Sequence, residues 1–180
     1  MDDETKLQIE YQYQVYSSGQ GLIPLADAKA GAIIGANLAL IATLANAPFF
    51  MDKFYKIANL PAPQGTVISV FVLFCVFTLV SILCSLMVLY PRPSNTISKL
   101  RPPHLTYFEH ILKKQSADRY LSAVKDLEPE AVLHEMCSQN FEIAKILSQK
   151  YSISKLSMGT FIISMASWLL LLYQVFKYQL

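Results

Sequence analysis

The side chains that could do chemistry in this chain are few, and most gather just after residue 100. Arg101, His104, Tyr107, Phe108, Lys113, Lys114 and Arg119 set cations beside aromatic rings. Arg makes paired contacts to phosphate and an aromatic face stacks on a base, so the set suits a small anionic ligand. The same residues also suit anionic lipid headgroups, and composition alone favours that reading. Glu109 and His110 are adjacent and could sense pH or meet a ligand. No reaction is indicated: the sequence has no Walker loop, GxSxG or HExxH, and no paired carboxylates beside a base. His104, His110 and His134 lie far apart. Cys75 and Cys84 sit in an apolar run and Cys137 in a polar stretch, with no CxxC and no His at ligand spacing. They read as reduced thiols used as small hydrophobes. The expectation is a protein that is not an enzyme and carries no metal or cofactor.

The elements that must position these residues are set by an uneven distribution of charge. Of 180 residues, 53% are hydrophobic and only 16% charged, against roughly 25% charged in an ordinary soluble domain. The charges are missing from three stretches. Thr66–Tyr90 runs 25 residues without a charge, Pro or Gly, which as a helix covers about 37 Å against a hydrocarbon core of about 30 Å. Met158–Phe176 is uncharged between Lys155 and Lys177, with Trp168, Tyr173 and Tyr178 toward one end as an interfacial belt. Ala30–Phe50 is uncharged too, but rich in Ala and Gly and interrupted by Asn37 and Asn46. Gly31, Gly35 and Ala39 recur at four-residue steps, a small-residue stripe for close helix packing. Asn37 lies near that stripe, and an intramembrane amide faces protein or a cavity rather than lipid.

The fold expected is therefore all-α, a three-helix transmembrane protein. Ten Lys and Arg residues fall between Pro91 and Ser157, against Lys53 and Lys56 in the short connection before the second span. By the positive-inside rule the long segment is cytoplasmic, so the N-terminus is inside and the C-terminus outside. The order is an N-terminal cytoplasmic segment (1–25), a first span (26–50), an external loop (51–65), a second span (66–90), a helical cytoplasmic segment (91–157) and a third span (158–177). The acidic start, with Asp2, Asp3 and Glu4, is unlike a signal peptide. The net charge of +2 gives no footing for a nucleic acid polymer.

Outside the spans, Leu7 to Val15 alternates as a strand would but has no partner strand. It reads as an amphipathic or poorly ordered lead-in, broken at Ser17–Gly21. Pro24 then opens a helix with Asp27 in its first turn, where the dipole favours a carboxylate, and Lys29 snorkels to the headgroups. After the prolines at 91, 93, 102 and 103, Leu105–Lys114 has helical spacing. A further helix starts near Glu128-Pro129-Glu130, carries Val132, Met136, Ile143 and Leu147 on one face, and runs toward the third span. Ser152, Ser154 and Ser157 mark where it would break.

Two motifs together point to a family. Ala26, Asp27, Lys29 and Ala30 open the first span, Asn37 lies within it, and Tyr107, Phe108 and Ile111 follow the second. Their order resembles the transmembrane effectors of the bacterial Pycsar anti-phage systems. The resemblance implies an inner-membrane protein that responds to a cyclic pyrimidine mononucleotide, cCMP or cUMP, made by a partner cyclase. It further implies assembly into a homo-oligomer in membrane lipid, and membrane disruption that arrests the infected cell. Carried residue by residue, the implied binding or gating positions are Asp27, Lys29, Asn37, Tyr107 and Phe108, beside which Arg101 and His110 are further candidates. Ligand binding where the Tyr107 element meets Asp27 would rotate or tilt the first span and repack its Gly31/Gly35 face. The alternative is an accessory subunit of a larger membrane complex with no ligand response.

Overall fold

The computed structural model describes residues 2–45, 52, 54–56, 64–91 and 111–177, and these are helical with no strand. Four helices are named here: α1 (Asp3–Ala45), α2 (Gln64–Leu89), α3 (Ala117–Lys125) and α4 (Pro129–Lys177). Three of them, α1, α2 and α4, are long and apolar enough to cross a membrane, so the all-α class with three membrane-length helices holds. The chain divides into two compact units. A charged unit joins Met1–Leu25 to Pro91–Gln149, and an apolar unit joins Ala26–Tyr90 to Lys150–Leu180.

α1 begins at an exposed cap, where Asp2 Oδ1 accepts from the Thr5 backbone N–H at 3.0 Å. The bonds from Thr5 hold the Asp2 carboxyl below its ordinary value. The helix then runs through Ser17–Gly21 and encloses Pro24. This corrects the expected lead-in and the expected helix start at Pro24. Proline lacks the N–H that would reach the Gln20 carbonyl, but Gln20 and Pro24 both lie on exposed positions, where water can satisfy that carbonyl. What sustains the helix is a covered stripe that the alternation of Leu7 to Val15 concealed. In the charged unit it consists of Thr5, Ile9, Gln12, Tyr16, Gly19 and Ile23, spaced by alternating steps of four and three. That is the period of a coiled-coil seam. Leu7, Tyr11 and Tyr13 are the exposed residues of the same helix.

Within the charged unit α1 packs on α4. Asn140 Nδ2 donates to the Gln12 carbonyl at 2.9 Å and to Gln12 Oε1 at 2.7 Å. The helices come so close at Gly19 that an added Cβ would lie 2.8 Å from Ile143 Cγ2, so glycine is required there by space. α4 starts with Pro129 at its first position, where no N–H is needed, and continues without a break at Ser152–Ser157. α3 was not anticipated from the sequence. Ser116 caps it by accepting from the Arg119 N–H at 3.2 Å, just after Gln115 takes a left-handed backbone at φ 66°. Of the helix expected at Leu105–Lys114, residues 105–110 lie outside the described residues, while Ile111 and Leu112 are helical.

In the apolar unit the contact of α2 with α4 is made of hydroxyls. Ser81 Oγ donates to the Ser157 carbonyl at 3.1 Å, and Ser157 Oγ donates to the Ser81 carbonyl at 3.0 Å. Each serine has one proton, so Ser85 Oγ, 2.6 Å from Ser157 Oγ, must be the donor of that third bond. Thr78 and Ser164 share a fourth at 2.5 Å. Bonds from side chain to facing backbone demand that the two helices nearly touch, which Ser permits and a larger residue would not. The expected break at Ser157 is absent for this reason: its hydroxyl bonds across to α2. Beyond the hydroxyls, Val67, Val70, Leu171 and Val175 form an apolar cluster.

Interhelical bonds in membranes average about 0.6 kcal/mol and reach about 1.7 kcal/mol. Ser157→Ala should therefore lower the thermal midpoint of the detergent-solubilised protein modestly. Ser157→Leu should lower it more, since overpacking adds about 1–3 kcal/mol. Met158→Ala, on the exposed side, should leave the midpoint unchanged when unfolding is followed by circular dichroism.

Candidate functional site

The residues singled out in the first span lie in the apolar unit, and each is given a partner that sequence did not supply. Ala26 and Ala30 are both 1% exposed, and their small side chains admit α4 closely. Lys150 on α4 reaches across and forms an ion pair with Asp27. The Lys150 side chain is 6% exposed and that of Asp27 is 34%. Asp27 is thus a mid-helix carboxylate serving a buried ammonium, which replaces the expected role at a helix start. Its partner is a basic residue, Lys150, while Tyr107, the other partner expected for it, lies outside the described residues. Two residues on, Lys29 extends over the ring of Tyr151, with its Nζ 5.5 Å from the ring centroid. Tyrosine's face attracts a cation weakly when water is near, so Lys29 is held without being neutralised.

Ten residues beyond Asp27 along α1, about 15 Å at the helical rise, Asn37 is fully buried. Its Nδ2 donates to the Ile33 carbonyl at 2.9 Å and to Ser81 Oγ at 3.0 Å. That second bond ties α1 into the hydroxyl contact of α2 and α4. Asn37 Oδ1 is buried with no partner among the described residues. A buried amide oxygen left unmet costs about 1–3 kcal/mol, and it stands out beside Ser81, Ser85 and Ser157, whose hydroxyls are all bonded.

The covered face of α1 in this unit is Ala26, Ala30, Ile33 and Asn37. Gly31 and Gly35 lie elsewhere: an added Cβ at either would meet nothing within 4 Å, and Ala39 is exposed. Arg101, Tyr107, Phe108 and His110 lie outside the described residues. The structure therefore joins Asp27 to Lys150, Lys29 to Tyr151, and Asn37 to Ser81. Lys150, Tyr151, Ser81, Ser85 and Ser157 were missed as members of the site. The signal that could have found several of them is a seven-residue step. Ile143, Lys150, Ser157, Ser164 and Leu171 share one register in α4, as Val67, Phe74, Ser81 and Val88 do in α2, and all nine are buried.

Chemically, the arrangement offers one ammonium paired with a carboxylate and a second ammonium over a tyrosine ring, beside the start of a buried polar seam. Such a set can meet an anion. Among the described residues no group of three or more His, Cys, Asp or Glu is placed to hold a metal ion.

Compared with known families, the chain matches the model of the Pycsar effector protein domain over residues 12–176. No curated protein and no solved structure matches it.

The unequal burial of the ion pair has a measurable consequence. Asp27→Ala leaves Lys150 charged and enclosed, which should cost up to about 3 kcal/mol, reduced by the partial exposure of the pair. Lys150→Met leaves a carboxylate that water reaches and should cost less. The double variant should recover most of the loss from Asp27→Ala, as read from thermal midpoints in detergent.

Proposed function

The chain belongs to the Pycsar effector domain family, a defence effector with membrane helices, and from that premise we propose that it senses a cyclic pyrimidine mononucleotide, cCMP or cUMP. The nucleotide is made by a partner cyclase. The response is disruption of the inner membrane and arrest or death of the infected cell. The protein acts by binding and rearrangement, without catalysis or a cofactor, with its N-terminus inside and the charged unit in the cytoplasm.

The observation that carries this reading is the placement of Lys29 and the Lys150–Asp27 pair at one end of the apolar part of α1, with Asn37 further along it. A cyclic mononucleotide brings one phosphate anion. Among the described residues Lys29 has no carboxylate partner, and it stands at the place where that anion would arrive. Close to Lys29, the phosphate competes with Asp27 for Lys150. Loss of the pair loosens the contact that Ala26 and Ala30 make with α4, and α1 tilts. Arg101, Tyr107, Phe108 and His110 are the proposed contacts for the base and sugar. The ligand shifts the equilibrium only by the difference between its affinities for the two states. Moving it from 1:99 to 99:1 takes about 5.5 kcal/mol of such difference.

Two measurements test the reading. Detergent-purified protein titrated with cCMP, cUMP, cAMP and cGMP should gain thermal stability with a pyrimidine nucleotide, by about 2.7 kcal/mol at a hundredfold excess over Kd. No response to any of the four favours an accessory subunit instead. In cells, Lys29→Ala should abolish growth arrest triggered by the nucleotide while the protein still inserts into the membrane. Unchanged arrest would overturn the assignment of Lys29.

A further inference from the structure

The charged unit has an open groove that the proposed sensing does not use. It runs along one side of the α1–α4 pair as two adjoining depressions, of about 470 and 430 Å³, which meet at Tyr11. On α1 the wall follows Gln8, Tyr11, Val15, Ser18 and Leu22. On α4 it follows Leu133, Cys137, Asn140, Ala144 and Leu147. Both walls advance by alternating steps of three and four, the spacing of the seam between the two helices, displaced to its flank. From Leu7 to Leu22 the groove extends about 22 Å at the helical rise. The opposite flank of α4 is closed, since Glu135 and Glu142 are buried there. The groove side leaves large apolar groups to solvent: Leu7 is 67% exposed and Tyr11 62%, and Leu22 is exposed as well.

We propose that this groove is the docking surface for the same groove of a second copy of this chain, giving a two-fold four-helix bundle of two α1 and two α4 segments. Two observations select that occupant. A wall with coiled-coil spacing along several turns is followed only by another helix with the same period, and α1 and α4 both have it. No lining residue is charged, so two copies meet without repulsion, whereas a nucleotide phosphate would find no cation. The membrane supplies the geometry. Copies anchored in one bilayer stand parallel, with equal residue numbers at equal depth, so a two-fold contact sets groove against groove in register. Confinement in the bilayer also raises their effective concentration. The proposal rests on the membrane-crossing helices and is independent of nucleotide sensing.

The test is the mass of the full chain in detergent micelles and its cross-linking in membranes. Wild type should be a dimer or an even-numbered assembly of dimers. Ala144→Glu places a charge in each facing wall and should weaken dimerisation more than tenfold, while Tyr13→Glu, outside the groove, should leave it unchanged. Equal helicity by circular dichroism confirms that both variants fold. In a background with Cys75, Cys84 and Cys137 replaced by Ser, single cysteines at positions 11, 15, 18 and 22 should cross-link between copies. Those at 13 and 20 should not. A monomeric wild type, an Ala144→Glu chain that assembles as wild type does, or cross-linking equal at all six positions overturns the proposal, and so does a groove filled by another protein in the purified complex.

Discussion

Ser81 and Ser157 each give a hydroxyl proton to the other's carbonyl, and the apolar unit is arranged around that exchange. Between helices in lipid, apolar contact gains little, because acyl chains offer the same contact. What distinguishes the closed bundle from separated helices is close packing and the bonds that become possible only when backbones nearly touch. Once α2 and α4 are that close, Ser85 can reach Ser157 and Thr78 can reach Ser164. Asn37 then finds in Ser81 an oxygen whose own proton is already committed to Ser157, and so free to accept. The position of α1 is thus a consequence of the contact between the other two helices.

The ion pair follows from the same closeness and has the opposite energetic character. Hydroxyls lose little on leaving water if they bond to one another, but an ammonium loses several kcal/mol. Lys150 is enclosed because Ala26 and Ala30 bring α4 against α1, and Asp27 is what makes that enclosure tolerable. Partial exposure of Asp27 leaves one side of the pair where a competing anion could enter. Lys29, resting on Tyr151 rather than on a carboxylate, adds attraction for such an anion without weakening the pair beforehand.

The three membrane-length helices were legible in the sequence because charge depletion over a bilayer's width has no soluble explanation. The family was legible because the Ala26, Asp27, Lys29 and Ala30 element, then Asn37, then Tyr107, Phe108 and Ile111 occur in that order. The N-terminal part of α1 was not legible. Its large residues, Leu7, Tyr11, Tyr13 and Val15, are the exposed ones, while the stripe that packs includes Thr5, Gln12 and Gly19. An apolar periodicity reveals only half of a seam in which Thr5, Gln12 and Gly19 alternate with Ile9, Tyr16 and Ile23, so Ser17–Gly21 looked like a breaker when Gly19 is the place of closest approach. Lys150 was hidden for the same reason. It occupies a seam position as a charge, and only its seven-residue distance from Ser157 and Ile143 betrays it.

The same periodicity bears on what α1 can do when it moves. At about 100° per residue, Gly31, Gly35 and Ala39 lie about half a turn from Ala26, Ala30, Ile33 and Asn37. Rotation of α1 that carried the glycine stripe inward would carry Asn37 out toward lipid. It would break the bond to Ser81 and separate Asp27 from Lys150 as well. The expectation that the first span rotates to repack its Gly31/Gly35 face therefore conflicts with the contacts that hold Asn37. Tilting is compatible with them. α1 can pivot about the Asn37–Ser81 bond while its end at Asp27 leaves Lys150, because that bond lies about 15 Å from the pair along the helix. The glycine stripe stays outward throughout, so its use by a neighbouring helix would neither require nor prevent the closed bundle. Under the proposed sensing, the amide at position 37 would be the pivot and the carboxylate at position 27 the release.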